Sequence, residues 1–361
     1  MKIVYDNIIF SLQKAGGISI YWTELIKRFK SKGEILFYEK KNNNIFRKLI
    51  FYDVKNESAL GFKILRYLPF IKKLPEKSIF HSSYYRIPLQ KDVVKIITVY
   101  DFTYEYYCTG ASRWIHSWQK NFAIKNSDGV ICISDSTKND LFKFLPNIDK
   151  EKVKTIYISA GKEFHKVFEM ENKIKYSRFK EIENKKVILY VGDRKSKYKN
   201  FKTAVDVVSK LHDYILLSVG AGEVTVEEQL MVNQNITGRF FHYLDVSSEE
   251  LNVLYNYAFC FLYPSSYEGF GIPVLESMRA GCPVISTNIS SIPEVAGHAA
   301  LLVDDICVEN FIKQVKLLED SEFRQSKINE GFKQAKKFSW DLCFEETIAF
   351  YNEIFKSKFN T

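Results

Sequence analysis

Hydrophobic positions along the chain follow two alternating spacings. Short apolar runs such as KIVYD (2–6), KIITVYD (95–101) and VILYVG (187–192) are rich in β-branched and aromatic residues and have the length of buried strands. Between such runs, apolar residues recur every three or four positions, as in NFKTAVDVVSKLHDY (200–214), which is the spacing of one helix face. Strands that alternate with helices predict parallel sheets covered by helices on both faces.

The alternation of strands and helices occurs in two series. The polar stretch 169–186 has no strand character, and the pattern begins again at residue 187. The sequence therefore predicts an α/β protein with two Rossmann-like, doubly wound domains, covering 1–170 and 171–340. The length of 361 residues agrees with two domains, because single hydrophobic cores stop growing at about 250–300 residues.

Composition places the chain among globular proteins of the cytoplasm. It is 46% hydrophobic and 26% charged, and it contains no apolar run of the ~20 residues needed to cross a bilayer. The opening MKIVYDNIIF is strand-like and lacks the layout of a signal peptide. The six cysteines form no CxxC pair, which is typical of reduced thiols, so we expect a cytoplasmic protein.

The positive charge is concentrated near the N-terminus. The net charge is +9, and residues 1–95 hold 19 Lys and Arg against 8 Asp and Glu. Within this region, GFKILRYLPFIKKLP (61–75) interleaves apolar and aromatic residues with the cations Lys63, Arg66, Lys72 and Lys73. This mixture favours an anionic membrane surface as partner, with a merely solvated basic face as the alternative. No nucleic-acid-binding motif accompanies the charge, so nucleic acid is not expected.

Two glutamates flank a glycine-rich turn in YPSSYEGFGIPVLESMRAGCPVIST (263–287). Gly269 and Gly271 allow the backbone to approach a ligand, and the helix expected to follow would present free N–H groups to a phosphate. We expect Glu276 in the first turn of that helix and Glu268 before the turn. Two carboxylates around a phosphate-binding turn indicate acceptors for sugar and ribose hydroxyls.

A basic loop follows the strand that ends at Gly192. It carries Arg194 and Lys199, and Asn200 is expected to cap the next helix. A cation at the positive end of a helix is unfavourable, and a bound anion between the two cations would remove this conflict. Together with the glutamate turn, the loop therefore favours a diphosphate ligand.

These motifs together resemble the retaining glycosyltransferases of family 4, which have the GT-B fold. The resemblance runs from residue 2 to about 350 and rests on GGIS (16–19), ICISDSTKNDL (131–141), the Arg194/Lys199 loop, Glu268-x7-Glu276, PEVAGHAALLVD (293–304) and FSWDLCFEETIAFYNEIF (338–355). It implies two Rossmann-like parallel-sheet domains facing a cleft. It also implies a C-terminal helix, within 341–361, that packs back on the N-terminal domain.

The resemblance assigns the phosphate-binding residues. Arg194 and Lys199 would neutralise the leaving diphosphate in place of a metal ion, and the loop with Gly16 and Gly17 would close over the phosphates. The chain has no Asp-x-Asp and no cluster of His and Cys ligands, so neither a metal nor a cofactor is expected. Retention would proceed by a same-face, oxocarbenium-like displacement that needs no carboxylate nucleophile.

The resemblance also assigns the sugar-binding residues. Glu276 would hold the ribose hydroxyls of the nucleotide. The transferred sugar would be held by Glu268 together with the backbone of Gly269, Phe270 and Gly271.

One catalytic position departs from the family pattern. Many relatives have His-Asp where this chain has Tyr100-Asp101. Tyrosine has an ordinary pKa near ~10 and is a poor base at neutral pH. Either Tyr100 contacts the donor sugar passively, or the position matters less than in relatives. His81 is the nearest other histidine and is expected to be structural.

The form GDRKSKYKN (192–200) resembles enzymes of bacterial surface-polysaccharide assembly, many of which use GDP-mannose. The resemblance thus implies a hexosyltransferase that moves mannose from GDP-mannose to a growing lipid-linked glycan such as O-antigen or capsule. Such an enzyme would bind peripherally to the inner face of the cytoplasmic membrane, and residues 61–75 would contact the anionic lipid surface.

Other classes fit the sequence less well. An NAD-dependent dehydrogenase would need GxGxxG after a strand, and a phosphorylase would need a longer chain with a pyridoxal lysine. A GT-B sugar-nucleotide epimerase has no need of a basic first domain. An inactive nucleotide-sugar-binding scaffold has no need of both cations and both glutamates.

Overall fold

The chain forms two compact units. Our computed structural model describes residues 2–29, 35–50, 52–57, 61–167, 177–220 and 222–360. The first unit comprises Met1–Ile158 with Ser339–Thr361, and the second comprises Ser159–Phe338. The domain boundary predicted near residue 170 lies outside the described residues.

The first unit is built on a parallel sheet that has six strands among the described residues. They are β1 (Lys2–Asp6), β2 (Ile35–Tyr38), β3 (Ser78–Ser82), β4 (Val94–Val99), β5 (Gly129–Cys132) and β6 (Val153–Thr155). The spatial order is β2-β1-β3-β4-β5-β6, and every pairing is parallel. The central strands are almost wholly buried, as near-continuous apolar runs require.

Helices flank this sheet. They are α1 (Ile9–Leu12), α2 (Gly17–Arg28), α3 (Phe62–Leu65), α4 (Thr103–Tyr107), α5 (Gly110–Lys125) and α6 (Asp135–Phe144). The start of α6 is set by Ser134, whose hydroxyl accepts a hydrogen bond from the Thr137 N–H.

The second unit repeats the architecture, again with six parallel strands among its described residues. They are β7 (Lys186–Val191), β8 (Tyr214–Val219), β9 (Phe240–Tyr243), β10 (Cys260–Tyr263), β11 (Val284–Thr287) and β12 (Leu301–Val303), in the order β12-β11-β10-β7-β8-β9. The helices are α7 (Phe201–Lys210), α8 (Val226–Ile236), α9 (Ser248–Tyr257), α10 (Ile272–Ala280), α11 (Ile292–Ala296), α12 (Val308–Leu317) and α13 (Ser321–Ala335). Short 3-10 helices cover Ser177–Ile182, Lys197–Lys199 and Gly297–Ala299 in this unit, and one covers Arg47–Leu49 in the first unit.

The last helix, α14 (Trp340–Phe359), belongs to the first unit and packs on α2 and β4. Its Tyr351 hydroxyl lies 3.1 Å from the Tyr5 hydroxyl and also contacts Nδ1 of His81. The predicted α/β class, the two parallel sheets and the returning C-terminal helix are therefore confirmed. The cysteines are free thiols, and Cys132, Cys260, Cys282 and Cys343 are buried.

Candidate active site

The order of strands in the second sheet marks a ligand-binding position. From β7 the chain proceeds outward through β8 and β9 on one side, and then through β10, β11 and β12 on the other. The direction changes between β7 and β10, and doubly wound sheets bind ligands at the carboxyl ends of the strands at such a point. Lys199 follows β7 and Glu268 follows β10, so both lie at this position.

The structure joins these two predicted residues directly. The Lys199 ammonium lies 2.5 Å from Oε1 of Glu268 and donates a 2.9 Å hydrogen bond to the Tyr263 hydroxyl. Burial, and the nearby charge of Glu268, raise the pKa of Tyr263 well above its ordinary value, so its hydroxyl stays neutral. Glu268 thus supplies a negative charge beside Lys199, and the diphosphate expected between the two cations stays a prediction.

Asn200 joins the two loops of the site. It occupies the position before α7 in a left-handed conformation, with φ 51°, and its side chain makes no capping hydrogen bond. Its amide instead donates to the Pro264 carbonyl at 2.8 Å and to the Ser266 hydroxyl at 2.7 Å. Asn200 therefore occupies the predicted N-cap position of α7, but its side chain fixes the loop that carries Glu268 and does not cap the helix.

The loop after β11 holds the backbone of Glu268. The Glu268 N–H donates to the Ser290 hydroxyl at 2.9 Å, and its carbonyl accepts hydrogen bonds from the hydroxyls of Ser290 and Ser291. Sequence reasoning missed both serines. The available signal was a Ser-Ser pair shortly after a strand and before an Ile-Pro helix start.

The glycine turn between the two glutamates has a fixed shape. Gly271 adopts a left-handed conformation with φ 95°, which a residue with a side chain would enter only under strain. The Phe270 ring is buried and packs edge-on against Phe338, with 5.7 Å between the ring centres. The backbone of Gly269, Phe270 and Gly271 is therefore held in place at the start of α10.

Glu276 lies deeper in the site than expected. Because α10 begins at Ile272, Glu276 is in the second turn of the helix, and its predicted place in the first turn was wrong. Its carboxyl accepts a 3.2 Å hydrogen bond from the Tyr255 hydroxyl. Burial raises its pKa to about 8, and the negative charge of Glu163 adds a smaller rise. At neutral pH this carboxyl is therefore mostly protonated.

Arg194 points toward the loop that follows β8. Its buried guanidinium donates to the carbonyls of Gly220 at 2.8 Å and Gly222 at 3.0 Å. Nε lies 3.3 Å from Oε1 of Glu228, and Nη1 lies 3.1 Å from Nδ1 of His242. Arg194 therefore has a carboxylate partner outside its own loop, in α8, and it ties together the loops after β7 and β8.

Sequence reasoning missed two of these partners. Glu228 is the third residue of α8 and forms a capping box with Thr225, so its motif indicates only a helix start. His242 lies on the outer strand β9, and burial together with the Arg194 charge lowers its pKa. No local pattern distinguishes either residue as a partner for an arginine.

In the first unit, Tyr100 is part of the core. Its hydroxyl accepts a 2.8 Å hydrogen bond from Nε1 of Trp22 and lies 3.4 Å from the Ser83 carbonyl. Burial raises the pKa of Tyr100, which excludes it as a base at neutral pH. The sequence left two alternatives, a passive contact of Tyr100 with the donor sugar or a lesser role of this position than in relatives. The buried hydroxyl favours the second alternative. Asp101 accepts a 2.9 Å hydrogen bond from the Thr103 N–H at the start of α4.

Gly16 and Gly17 form the start of α2. They follow β1, beside which the first sheet changes direction between β1 and β3, so they lie at the ligand-binding end of that sheet. Gly16 has φ 157°, and a Cβ added there would lie 2.8 Å from Oε1 of Gln13. The roles assigned to both glycines, as to the other site residues, stay predictions.

His81 is buried beneath this region. Its Nε2 lies 2.9 Å from the Thr98 hydroxyl, and burial lowers its pKa to about 3. A neutral, fully enclosed imidazole is structural, in line with the expectation from sequence.

The basic segment 61–75 presents a mixed surface. Lys63, Lys72 and Lys73 are exposed beside the exposed Ile64 and Ile71. Arg66 differs, because it is half-buried, donates to the Tyr84 hydroxyl and lies over the Tyr84 ring at 4.7 Å. Three of the four predicted cations are therefore displayed to solvent.

The described part of the chain contains neither a cluster of metal ligands nor a membrane-spanning helix. Within it, no three His, Cys, Asp or Glu side chains are grouped so that they could hold a metal ion. None of its helices combines the length and the apolar character that crossing a bilayer requires.

Two doubly wound α/β units, the second with a lysine–glutamate pair at the switch point of its sheet, are the architecture of the GT-B fold. Residues 172–335 match the family described as Glycosyl transferases group 1. This part of the chain is similar to a Glycosyl transferases group 1 domain, which agrees with the predicted glycosyltransferase class.

Curated relatives agree with this class. The chain is 43% identical over 107 residues to O-antigen chain mannosyltransferase B of Escherichia coli, a match that covers 29% of this chain and 28% of that protein. It is 28% identical over 256 residues to O-antigen chain mannosyltransferase RfbU of Salmonella typhimurium, which covers 69% of this chain and 68% of that protein. The chain is thus similar to mannosyltransferases, over less than a third of the length of the first.

Solved structures share the fold over nearly the whole chain. Sucrose-phosphate synthase from Thermosynechococcus elongatus superposes with a TM-score of 0.77 at 17% identity, covering 99% of this chain and 100% of that one. Anabaena HepE in complex with UDP-glucose gives 0.74 at 14% identity, covering 98% and 100%. At these identities, the likeness shows the fold alone.

Proposed function

We propose that this chain is a retaining mannosyltransferase that moves mannose from GDP-mannose to a growing lipid-linked surface glycan such as O-antigen or capsule. The observation that carries the proposal is the Lys199–Glu268 pair at the switch point of the matched domain. Similarity to two O-antigen mannosyltransferases supports the sugar and the class of acceptor.

The diphosphate of the donor would exchange partners with Glu268. In the structure, Lys199 is neutralised by that carboxylate. A diphosphate bound at the start of α10 brings more negative charge to Lys199 than one carboxylate does, and the positive end of the helix dipole also favours it. Glu268 is then released to accept hydrogen bonds from the hydroxyls of the transferred sugar.

The ribose would bind at Glu276. Its buried carboxyl has one partner, the Tyr255 hydroxyl, among the contacts of the described residues. Two ribose hydroxyls that donate to this carboxyl favour its charged form and lower its raised pKa. Nucleotide binding at neutral pH would therefore release a proton from Glu276.

Transfer would occur on one face of the sugar. The bond between the anomeric carbon and the diphosphate oxygen breaks, and the acceptor hydroxyl forms its bond on the same face. The proton of that hydroxyl passes to the departing phosphate oxygen, so Tyr100 is not needed as a base. Lys199 stabilises the charge that develops on the leaving group, as a preorganised cation does. In this scheme no metal ion is required.

Donor hydrolysis tests the proposal. The protein is incubated with GDP-mannose, GDP-fucose, UDP-glucose and UDP-N-acetylglucosamine, with and without EDTA, and release of the nucleoside diphosphate is followed. We expect GDP-mannose to be hydrolysed fastest, at the same rate in EDTA, with the α-anomer as the first product by NMR. Preference for a UDP-sugar would overturn the donor, and a β-anomer would overturn retention. Loss of activity in EDTA that manganese restores would overturn metal independence.

The proposed location is the inner face of the cytoplasmic membrane. A lipid-linked acceptor lies at that surface, and the exposed Lys63, Lys72 and Lys73 beside Ile64 and Ile71 suit anionic lipid. The protein would bind there peripherally.

A further inference from the structure

An aromatic groove lies in the first unit, between α4, α5 and the end of α6. Its volume is about 720 Å³, and its lining includes Glu105, Trp114, Ser117, Trp118, Asn121 and Phe144. None of these residues belongs to the site described above. The groove is large enough for one or two sugar rings.

Two tryptophans form its exposed wall. Trp114 is 76% exposed and Trp118 is 59% exposed, although tryptophan is among the residues that gain most from burial. The two residues are four positions apart on α5 and therefore lie on the same face of that helix. Exposed aromatic surface of this extent is typical of a binding site.

The groove also carries polar atoms that lack partners. Oε1 of Glu105, Oγ of Ser117 and Oδ1 of Asn121 are buried, and none has a hydrogen-bond partner among the described residues. Glu105 is only 8% exposed, and its other oxygen accepts a 2.6 Å hydrogen bond from Lys120. Buried polar atoms without partners are uncommon in native proteins, and a ligand is one explanation for a cluster of them.

The two observations together select the chemistry of the ligand. A pyranose ring has an apolar face of C–H groups that packs on an aromatic ring, and hydroxyls at its edge that donate hydrogen bonds. An acyl chain would cover the tryptophans but would leave all three oxygens unpaired. We propose that this groove binds a hexose ring of the acceptor glycan, stacked on Trp118 and Trp114, with hydroxyls directed to Glu105 and Asn121. The identity of the glycan as acceptor rests on the proposed function.

The groove is connected to the ligand-binding end of the first sheet. Lys120 donates to Glu105 at 2.6 Å and to the Asp101 carbonyl at 3.1 Å. Asp101 lies two residues beyond Val99, the last residue of β4, at the carboxyl end of the strand. A sugar held in the groove is therefore near the loop that follows β4 in the first sheet.

Tryptophan fluorescence tests the proposal without a donor. The other tryptophans, Trp22 and Trp340, are 0% and 4% exposed, so acrylamide quenching reports mainly on Trp114 and Trp118. We expect α-linked mannotriose or maltotriose to protect the wild type from quenching in a saturable way. By calorimetry, Trp118→Ala and Asn121→Ala should each weaken trisaccharide binding by about tenfold.

Ile115→Ala is the matched control. Ile115 is 50% exposed on the same helix but does not line the groove, so its replacement should leave trisaccharide binding unchanged. The proposal is overturned if neither trisaccharide protects the tryptophans, or if Trp118→Ala binds as the wild type does. A second outcome also overturns the proposal, because it would indicate a lipid-binding face. In that outcome, vesicles of phosphatidylcholine and phosphatidylglycerol protect the tryptophans from quenching, and Ile115→Ala weakens vesicle binding as much as Trp118→Ala does. Hydrolysis of GDP-mannose by the wild type, measured in parallel, separates this failure from failure of the proposed function.

Discussion

Lys199 and Glu268 form a close ion pair, with 2.5 Å between Nζ and Oε1, although they belong to loops that follow different strands. Tyr263, the last residue of β10, accepts a second hydrogen bond from the same ammonium group. The pair therefore holds the two loops together while keeping a cation and a carboxylate ready at the switch point of the sheet. Binding of a diphosphate would give Lys199 a new anionic partner and release Glu268.

Replacing Lys199 should impair the chemical step. We expect Lys199→Ala to lower the rate of donor hydrolysis by about 100-fold or more, because the leaving diphosphate loses its cation. Lys202→Ala is the matched control, since Lys202 is an exposed cation on α7 that pairs with Asp206. Steady-state kinetics with GDP-mannose provide the measurement. A Lys199→Ala variant that retains wild-type turnover would contradict the assigned role.

Arg194 should affect both stability and turnover. Arg194→Met removes the cation from the partly buried Glu228, and we expect this loss to cost about 1–3 kcal/mol of unfolding free energy. Glu228→Gln combined with Arg194→Met should recover part of that loss in urea denaturation. If Arg194 also reaches the phosphates during the reaction, turnover of the double variant should stay about 100-fold low. Recovery of turnover together with stability would assign Arg194 a purely structural role.

Nucleotide affinity should depend on pH through Glu276. The pKa of this carboxyl is raised to about 8, and ribose hydroxyls favour its charged form, so binding must remove a proton at lower pH. Affinity for GDP should therefore fall as pH decreases from 8 to 6, by up to about tenfold per pH unit. Calorimetry in buffers of different ionisation enthalpy should detect the released proton. In Glu276→Gln the carboxyl no longer titrates, whereas the terminal phosphate of GDP still does. If the affinity of this variant for GDP changes with pH as steeply as that of the wild type, the assignment to Glu276 is refuted.

Membrane binding should depend on the exposed lysines of 61–75. We expect the triple change of Lys63, Lys72 and Lys73 to Glu to abolish co-sedimentation with anionic vesicles, which should also weaken at high salt. Arg66 is left unchanged, because it is engaged by Tyr84. The same triple reversal at the exposed Lys313, Lys316 and Lys333 is the control for net charge. If both triple variants lose vesicle binding equally, or if neither loses it, segment 61–75 is not a specific membrane-binding surface.

The alternation of apolar spacings was enough to predict both sheets, because strands and helices such as β7 and α7 follow from local periodicity. The returning last helix was predicted from the family resemblance. The motifs likewise predicted Lys199 and Glu268 as site residues, because both lie close to the strand ends that bear them.

Partners that come from distant loops could not be predicted. Glu228 and His242 meet Arg194 only after β7, β8 and β9 have paired, and neither has a local motif that marks it. Glu276 was placed one turn too early because the start of α10 depends on the left-handed Gly271. The groove on α5 was missed because exposure of Trp114 and Trp118 depends on tertiary packing.

The position of α14 constrains the order in which the two units can fold during synthesis. Residues 159–338 lie between the main segment of the first unit and the helix that completes it, so the ribosome adds them before it adds α14. At 5–20 residues per second this takes roughly 10 to 40 s. During that interval Tyr5 and His81 lack the cover of Tyr351, while the second unit, which is continuous in sequence, can already fold. The half of the protein that is synthesised first is therefore the last to be finished, and it is the half that chaperones would have to protect.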